Sequence, residues 1–117
     1  MDLKNKNVLI TGGAGYIGSW VSRYLLEKGY KVTVIDKLNF GSESLEGLLN
    51  NSKFKFKNCD IRDIELYKDY LKNNQSVIHL AALVGENACK KNAEETNSVN
   101  FLATLKLAEA SVSYGVK

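Results

Sequence analysis

The stretch "ITGGAGYIGSW", Ile10 to Trp20, carries four of the chain's nine glycines and allows two spacings. Gly13, Gly15 and Gly18 spell G-x-G-x-x-G, whereas Gly12, Gly15 and Gly18 spell G-x-x-G-x-x-G. Before it, "NVLIT" (7–11) is a short apolar run ending at glycine, the pattern of a buried strand. After it, Ile17, Val21, Tyr24, Leu25 and Leu26 recur at helical spacing until Gly29, which predicts a helix with those residues inward. A glycine turn between a strand and a helix lets the backbone approach a pyrophosphate, which the free N–H groups and positive end of the helix then hold.

A second strand, Lys31 to Ile35, ends at Asp36, 18 residues beyond Gly18. A carboxylate there accepts hydrogen bonds from the adenosine ribose and repels a 2′-phosphate, so it points to NAD rather than NADP. Lys37, next in the chain, weighs the other way. A tight turn that holds no ligand is the alternative for the glycines alone; strand, helix, second strand and acid together favour dinucleotide binding.

The rest of the chain continues the alternation. A short helix is expected near Ser44 to Leu49. "KFKFK" (53–57) puts Phe54 and Phe56 on one face and lysines on the other, as protected edge strands do. Ile61, Ile64, Tyr67 and Leu71 mark a helix face, "SVIHLAA" from Ser76 reads as a buried strand, and Ser98 to Tyr114 reads as a long helix. The order βαβ(α)βαβα predicts a parallel sheet with helices on both faces and right-handed crossovers, an α/β Rossmann-type domain over residues 1–117. Val99, Leu102, Leu105 and Leu107 do not share one stripe of the last helix, which leaves either burial within the domain or a second partner face open.

Composition excludes other classes. With 117 residues, 44% hydrophobic and 25% charged, the chain has the size and balance of one globular domain. Its 16 basic residues against 13 acidic ones are scattered, so charge points to neither nucleic acid nor membrane. No apolar run approaches a bilayer span, and the N-terminus lacks a signal peptide pattern. Cys59 and Cys89 lack metal-ligand spacing and have a single histidine, His79, to help them, so no metal site is expected and reduced thiols in a cytoplasmic protein are the reading. His79 reads as a hydrogen-bonded core residue. Tyr24 and Lys28 have Tyr-x-x-x-Lys spacing, but at i and i+4 on the first helix they are surface neighbours.

Four segments in order, "TGGAGYIGS", "DKLNFG", "NCDIRD", and "VIHLAA" followed by "NFLATLKLAEA", resemble the extended short-chain dehydrogenase/reductases, the NAD-dependent nucleotide-sugar epimerases and dehydratases above all. The resemblance implies the register Thr11, Gly12, Gly15, Gly18, with Gly13 at a variable position. It also implies the cofactor site: Tyr16 and Ile17 along the pyrophosphate, Asp36, Lys37, Leu38, Asn39, Phe40 and Gly41 around the adenosine ribose, and Asp60 with Ile61 at the adenine. Leu80, Ala81 and Ala82 would line the floor, and Asn100 would support the strand bearing them, near the nicotinamide. From the residues alone, Asp60 equally suits capping of a helix beginning near Ile61.

Enzymes of that family use a Tyr-x-x-x-Lys pair on a later helix with a Ser or Thr on a fifth strand. No such apparatus can be placed here, so no catalytic residue is nominated. The chain reads as the N-terminal, cofactor-binding portion of a longer enzyme with strand order 3-2-1-4, inactive alone. The parent's partner would be a nucleotide-sugar, and a homodimer through the last helix is expected. A non-catalytic dinucleotide-binding sensor or scaffold is the rival from another class.

Overall fold

The computed structural model describes residues 6–39, 41–72, 76–83 and 90–116. Four strands, β1 (Asn7–Thr11), β2 (Lys31–Asp36), β3 (Phe54–Asn58) and β4 (Ser76–His79), form one parallel sheet in the order β3-β2-β1-β4. The expected order is the observed one. Chain direction reverses at β1: the path runs outward to β2 and β3, then returns to β4 on the other side. That reversal opens a crevice at the C-terminal ends of β1 and β4, where ligands bind in open α/β sheets.

Alternation along the strands fills two cores. Val8 and Ile10 of β1, Val32 and Val34 of β2 and Phe54 of β3 face helix α1 (Tyr16–Glu27) and the short 3-10 turn Glu43–Leu45. Leu9, Ile35 and Val77 face α2 (Ile64–Leu71) and the C-terminal helical stretch, with Tyr67, Leu71 and Leu107 packed against them. Leu9, Ile10, Val34 and Ile35 have no exposed surface, and each such side chain stabilises the fold by about 1.5–3 kcal/mol. The helices thus lie on both faces, as the alternation predicts.

Helix α1 departs from its expected packing. Its buried residues are Gly18, Ser19, Ser22 and Leu26, with Val21 and Leu25 partly buried, whereas Ile17 and Tyr24 are exposed. The reason is distance: the helix begins so close to the glycine loop that only small side chains fit between them. A Cβ on Gly18 would lie 2.3 Å from the Gly12 carbonyl oxygen. Tyr24 meets solvent with the Lys28 ammonium 5.4 Å from its ring centre, the surface pairing expected of them.

The C-terminal helical stretch starts earlier than Ser98. It comprises α3 (Ala93–Asn97), a π-helical turn over Ser98–Leu102, and α4 (Ala103–Ser113). Ala103 and Leu107 are buried against the sheet, while Phe101, Leu102, Leu105 and Val112 are exposed, so the mixed apolar pattern resolves into a covered face and an open one. The helix expected near Ser44 to Leu49 is a 3-10 turn over Glu43–Leu45 followed by turns, and β3 runs one residue later than expected. Among the described residues, no helix is long and apolar enough to cross a membrane.

Candidate dinucleotide-binding cleft

A cleft of about 520 Å³ opens at the C-terminal edge of the sheet. Its walls are the β1–α1 loop, the segment after β2, the turn after β3 and the segment after β4. Backbone bonds prolong the ladders past the strand ends and fix these walls: Gly12 N donates to Ile35 O (2.8 Å), Cys59 N to Asp36 O (3.1 Å) and Leu80 N to Thr11 O (3.0 Å).

The glycines differ in what they do. Gly12 has φ +73, and a Cβ on it would meet the backbone of Leu80 and Ala81 at 2.7–2.9 Å, so β1 and β4 close together only with glycine there. Gly18 lies against the Gly12 carbonyl, as above. Gly15, the residue before α1, would present a Cβ near Gly12 O alone, at 3.2 Å. Gly13 is not a free position in this chain: its Cβ would lie 2.5 Å from a methyl of buried Val34. All four glycines are therefore committed, three to packing and Gly15 to the open side.

Ser19 N donates to Gly15 O (2.9 Å), the first bond of α1. Helix geometry leaves the N–H groups of Tyr16, Ile17 and Gly18 without intrahelical acceptors at the cleft, and no acidic side chain lies in that first turn. Asp36 stands at the cleft's edge with both carboxylate oxygens oriented by the backbone: Oδ2 accepts from Ala14 N (2.9 Å) and Oδ1 from Leu38 N (2.6 Å). Each oxygen keeps acceptor capacity for a further donor. Ser44 Oγ donates to Ala14 O, and Arg23 donates to Ser44 O (2.9 Å), so the segment after β2 is clipped to the glycine loop.

Beneath the cleft a chain of hydrogen bonds determines the state of the one histidine. Thr11 Oγ1 accepts from Leu80 N (3.1 Å) and Ala81 N (3.2 Å), so its own proton goes to His79 Nδ1 at 2.5 Å. Nε2 must then carry the imidazole proton, which it donates to Thr104 Oγ1 (2.8 Å); Thr104 in turn donates to Asn100 O (3.0 Å). Burial lowers the His79 pKa below the ordinary 6.5. In the unfolded chain His79 takes up a proton at about pH 6.5, and the folded chain resists doing so until lower pH. The stability contributed is therefore full above pH 6.5 and lost as pH falls below it. Because the chain has one histidine, its imidazole nitrogen resonances are unambiguous: they should report the neutral Nε2–H form at pH 7 and titrate below 6.5. An Nδ1–H form would contradict the network.

Asn100, in the π-helical turn, accepts from Leu83 N and donates to Leu83 O, both at 2.8 Å. Without itself lining the cleft, a correction to its expected place beside the cofactor, it clamps the backbone of the segment after β4. The π turn is what presents its amide there.

Asp60 ends the β3 turn at the foot of the cleft. The helix-capping reading is corrected: α2 begins at Ile64, after Asp63, and Asp60 instead closes its own turn by accepting from Arg62 N (2.9 Å). Arg62 also donates Nε to both carboxylate oxygens (3.0 Å each) and Nη2 to Oδ2 (2.6 Å), and Lys37 Nζ lies 3.5 Å from Oδ2. The Arg62 hydrogen bonds hold the Asp60 carboxyl down to about 2 from the ordinary 3.8. A carboxylate with a lowered folded pKa stabilises fully above pH 4, and that stabilisation is lost as pH falls toward 2. Asp60→Asn should cost about 1–2 kcal/mol at pH 7 in denaturant unfolding, with the difference from the unmodified chain closing below pH 3. A difference independent of pH would mean that shape rather than charge matters there.

Gly12, Gly15, Tyr16, Ile17, Gly18, Asp36, Lys37, Asn39, Gly41, Asp60, Ile61, Leu80, Ala81 and Ala82 all line the cleft. Leu38 does not: at φ +62 its side chain turns into the α1-side core, a correction to its placement around the ribose. Phe40 and Cys89 lie outside the described residues. Ala14, Cys59, Leu83, Glu95 and Val99 also line the cleft; Ala14 and Cys59 stand inside "TGGAGYIGS" and "NCDIRD" without a role of their own there, and Leu83, Glu95 and Val99 belong to no motif that would have nominated them. Burial, and next Asp63, raise the Cys59 thiol's pKa. Among the described residues no three His, Cys, Asp or Glu side chains gather to hold a metal ion.

The NAD dependent epimerase/dehydratase family profile matches residues 8–117. UDP-glucose 4-epimerase 2 of Arabidopsis thaliana is 36% identical over 122 residues, covering 96% of this chain and 34% of that protein. The dTDP-D-glucose 4,6-dehydratase of Dictyostelium discoideum is 37% identical over 123 residues, covering 99% of this chain and 28% of its own length. Among solved structures, the UDP-glucose 4-epimerase of Thermus thermophilus in complex with NAD superposes with a TM-score of 0.81 at 33% identity, over 95% of this chain and 35% of that one. The chain thus spans roughly a third of the length of these relatives. By sequence and fold alike, the chain belongs to the NAD dependent epimerase/dehydratase family.

Proposed function

We propose that the cleft binds NAD and that the chain is the cofactor-binding part of a nucleotide-sugar epimerase or dehydratase. One observation carries this reading: an oriented carboxylate, Asp36, and three free helix N–H groups face the same cleft, across a turn in which Gly12 and Gly18 leave no room for a larger residue. Tyr16, Ile17 and Gly18 would hold the pyrophosphate, Asp36 the adenosine ribose, Asp60 and Ile61 the adenine, and Leu80 to Ala82 the floor. When bound, NAD would supply a reversible acceptor for hydride from the sugar carbon that bears a hydroxyl, the hydroxyl proton leaving separately to a base.

The chain's own residues bind and orient. Asp36 excludes a 2′-phosphate by charge, which favours NAD over NADP. The open face of the π turn and α4, with Phe101, Leu102 and Leu105, is offered as the surface for a second copy. A cytoplasmic setting, with Cys59 a reduced thiol, completes the reading. The only Tyr-x-x-x-Lys pair in the sequence, Tyr24 and Lys28, lies on the solvent side of α1, and neither residue lines the cleft. The 117-residue chain should therefore bind NAD one-to-one in a calorimetric titration and give no turnover of UDP-glucose with NAD present. Absence of NAD binding would overturn the cofactor assignment; turnover would overturn the division of labour.

A further inference from the structure

Lys37 lines the cleft directly beside Asp36. If the cleft holds a dinucleotide, an ammonium adjoining the ribose carboxylate is the kind of group that accommodates a 2′-phosphate. Its nitrogen is engaged elsewhere, 3.5 Å from Asp60 Oδ2, with the Lys37 side chain half exposed and that of Asp60 only 15% exposed. Asp60 is a fixed partner: Arg62 binds it through Nε, Nη2 and its backbone N–H, while Arg62 Nη1 donates to Ser98 Oγ (3.3 Å). Arg62 Nη2 also lies 3.9 Å from Glu95, on the side of the C-terminal helical stretch. The guanidinium is thus committed to Asp60 and Ser98, while Lys37, next to Asp36 in the chain, lines the cleft with it.

We infer that Asp60 is a specificity-determining residue: it holds the Lys37 ammonium against the turn after β3 and so keeps it from serving a 2′-phosphate. Two carboxylates then select against NADP, Asp36 by direct repulsion and Asp60 by occupying the cation beside it. The inference rests on the dinucleotide reading of the cleft. A half-exposed ion pair contributes little to stability, so the device is weak enough for a single charge change to shift it. Asp60→Asn keeps an oxygen for the Arg62 backbone N–H, so the turn is preserved.

The test is the ratio of NADP to NAD affinity, measured by calorimetry on the 117-residue chain and its variants. Both nucleotides carry the same adenine, so any contact of Asp60 with that ring cancels in the ratio. Asp60→Asn should raise the ratio roughly two- to fivefold, and adding Lys37→Ala should return it to near its starting value. Lys37→Ala alone should change the ratio less than about twofold, because the lysine is already engaged; this arm stands even if Asp60→Asn folds poorly. An unchanged ratio in Asp60→Asn, a gain that survives Lys37→Ala, or a collapse of NADP binding in Lys37→Ala alone would each overturn the inference. Binding of neither nucleotide by the unmodified chain would instead overturn the dinucleotide reading on which the inference rests.

Discussion

Gly18→Ala should lower the thermal midpoint by roughly 10 °C and remove dinucleotide binding. Helix propensity favours alanine, by at most about 1 kcal/mol. Against that, the new methyl would lie 2.3 Å from Gly12 O and 2.7 Å from Gly13 Cα, both backbone atoms with no rotamer to move them aside. Overpacking in a dense interior costs about 1–3 kcal/mol, and a collision with backbone belongs at or above the top of that range. The start of α1 must therefore shift, taking the Tyr16, Ile17 and Gly18 N–H groups with it. Gly12→Ala should be as damaging, since φ +73 adds strain to the contacts with Leu80 and Ala81.

Gly15→Ala is the informative contrast. With φ −73 and only the Gly12 oxygen nearby, at 3.2 Å, it should cost about 0.5–1 kcal/mol through the poorer helix cap, well below the other two, while its methyl intrudes on the cleft. Thermal unfolding and NAD titration of the three variants separate packing glycines from the one that faces the ligand. Equal stability loss at all three would mean that the loop is a structural turn alone.

Asp36→Ala should weaken NAD binding roughly ten- to hundredfold, the value of hydrogen bonds to a charged acceptor. Its carboxylate oxygens are already aimed by Ala14 N and Leu38 N, so a ribose hydroxyl meets an oriented group and little ordering is left to oppose binding. The same variant removes the repulsion of a 2′-phosphate, so NADP should lose less than NAD. An unmoved NAD affinity, with the fold intact by thermal unfolding, would remove Asp36 from the site.

The sheet was legible because strand alternation and parallel crossovers leave few topologies, and "NVLIT", "KVTVI" and "SVIH" are too apolar to lie elsewhere. The glycine loop was legible because its residue types answer a steric demand. Helix α1 was misread on that same account: near a tight loop the inward face is small, so Gly18, Ser19 and Ser22 face the sheet while the larger Trp20 and Tyr24 face out. "AEETN" (93–97) lies ahead of the helix start read at Ser98, yet it winds into α3 and runs on through the π turn, with Ser98 donating to Glu95 O and Asn100 clamping Leu83. Leu38 in the core and the Lys37–Asp60–Arg62 chain depend on φ values and distances across strands that no local pattern encodes.

The central claim is that one dinucleotide lies across the ends of all four strands. Backbone amide NMR of the 117-residue chain during titration with NAD tests it most directly. Saturable shifts should concentrate at Gly12 to Gly18, Asp36 to Asn39, Asp60 to Ile61 and Leu80 to Leu83, leaving the buried face of α2 at Tyr67 and Leu71 unmoved. Shifts centred on α2, or none at millimolar NAD, would contradict the account.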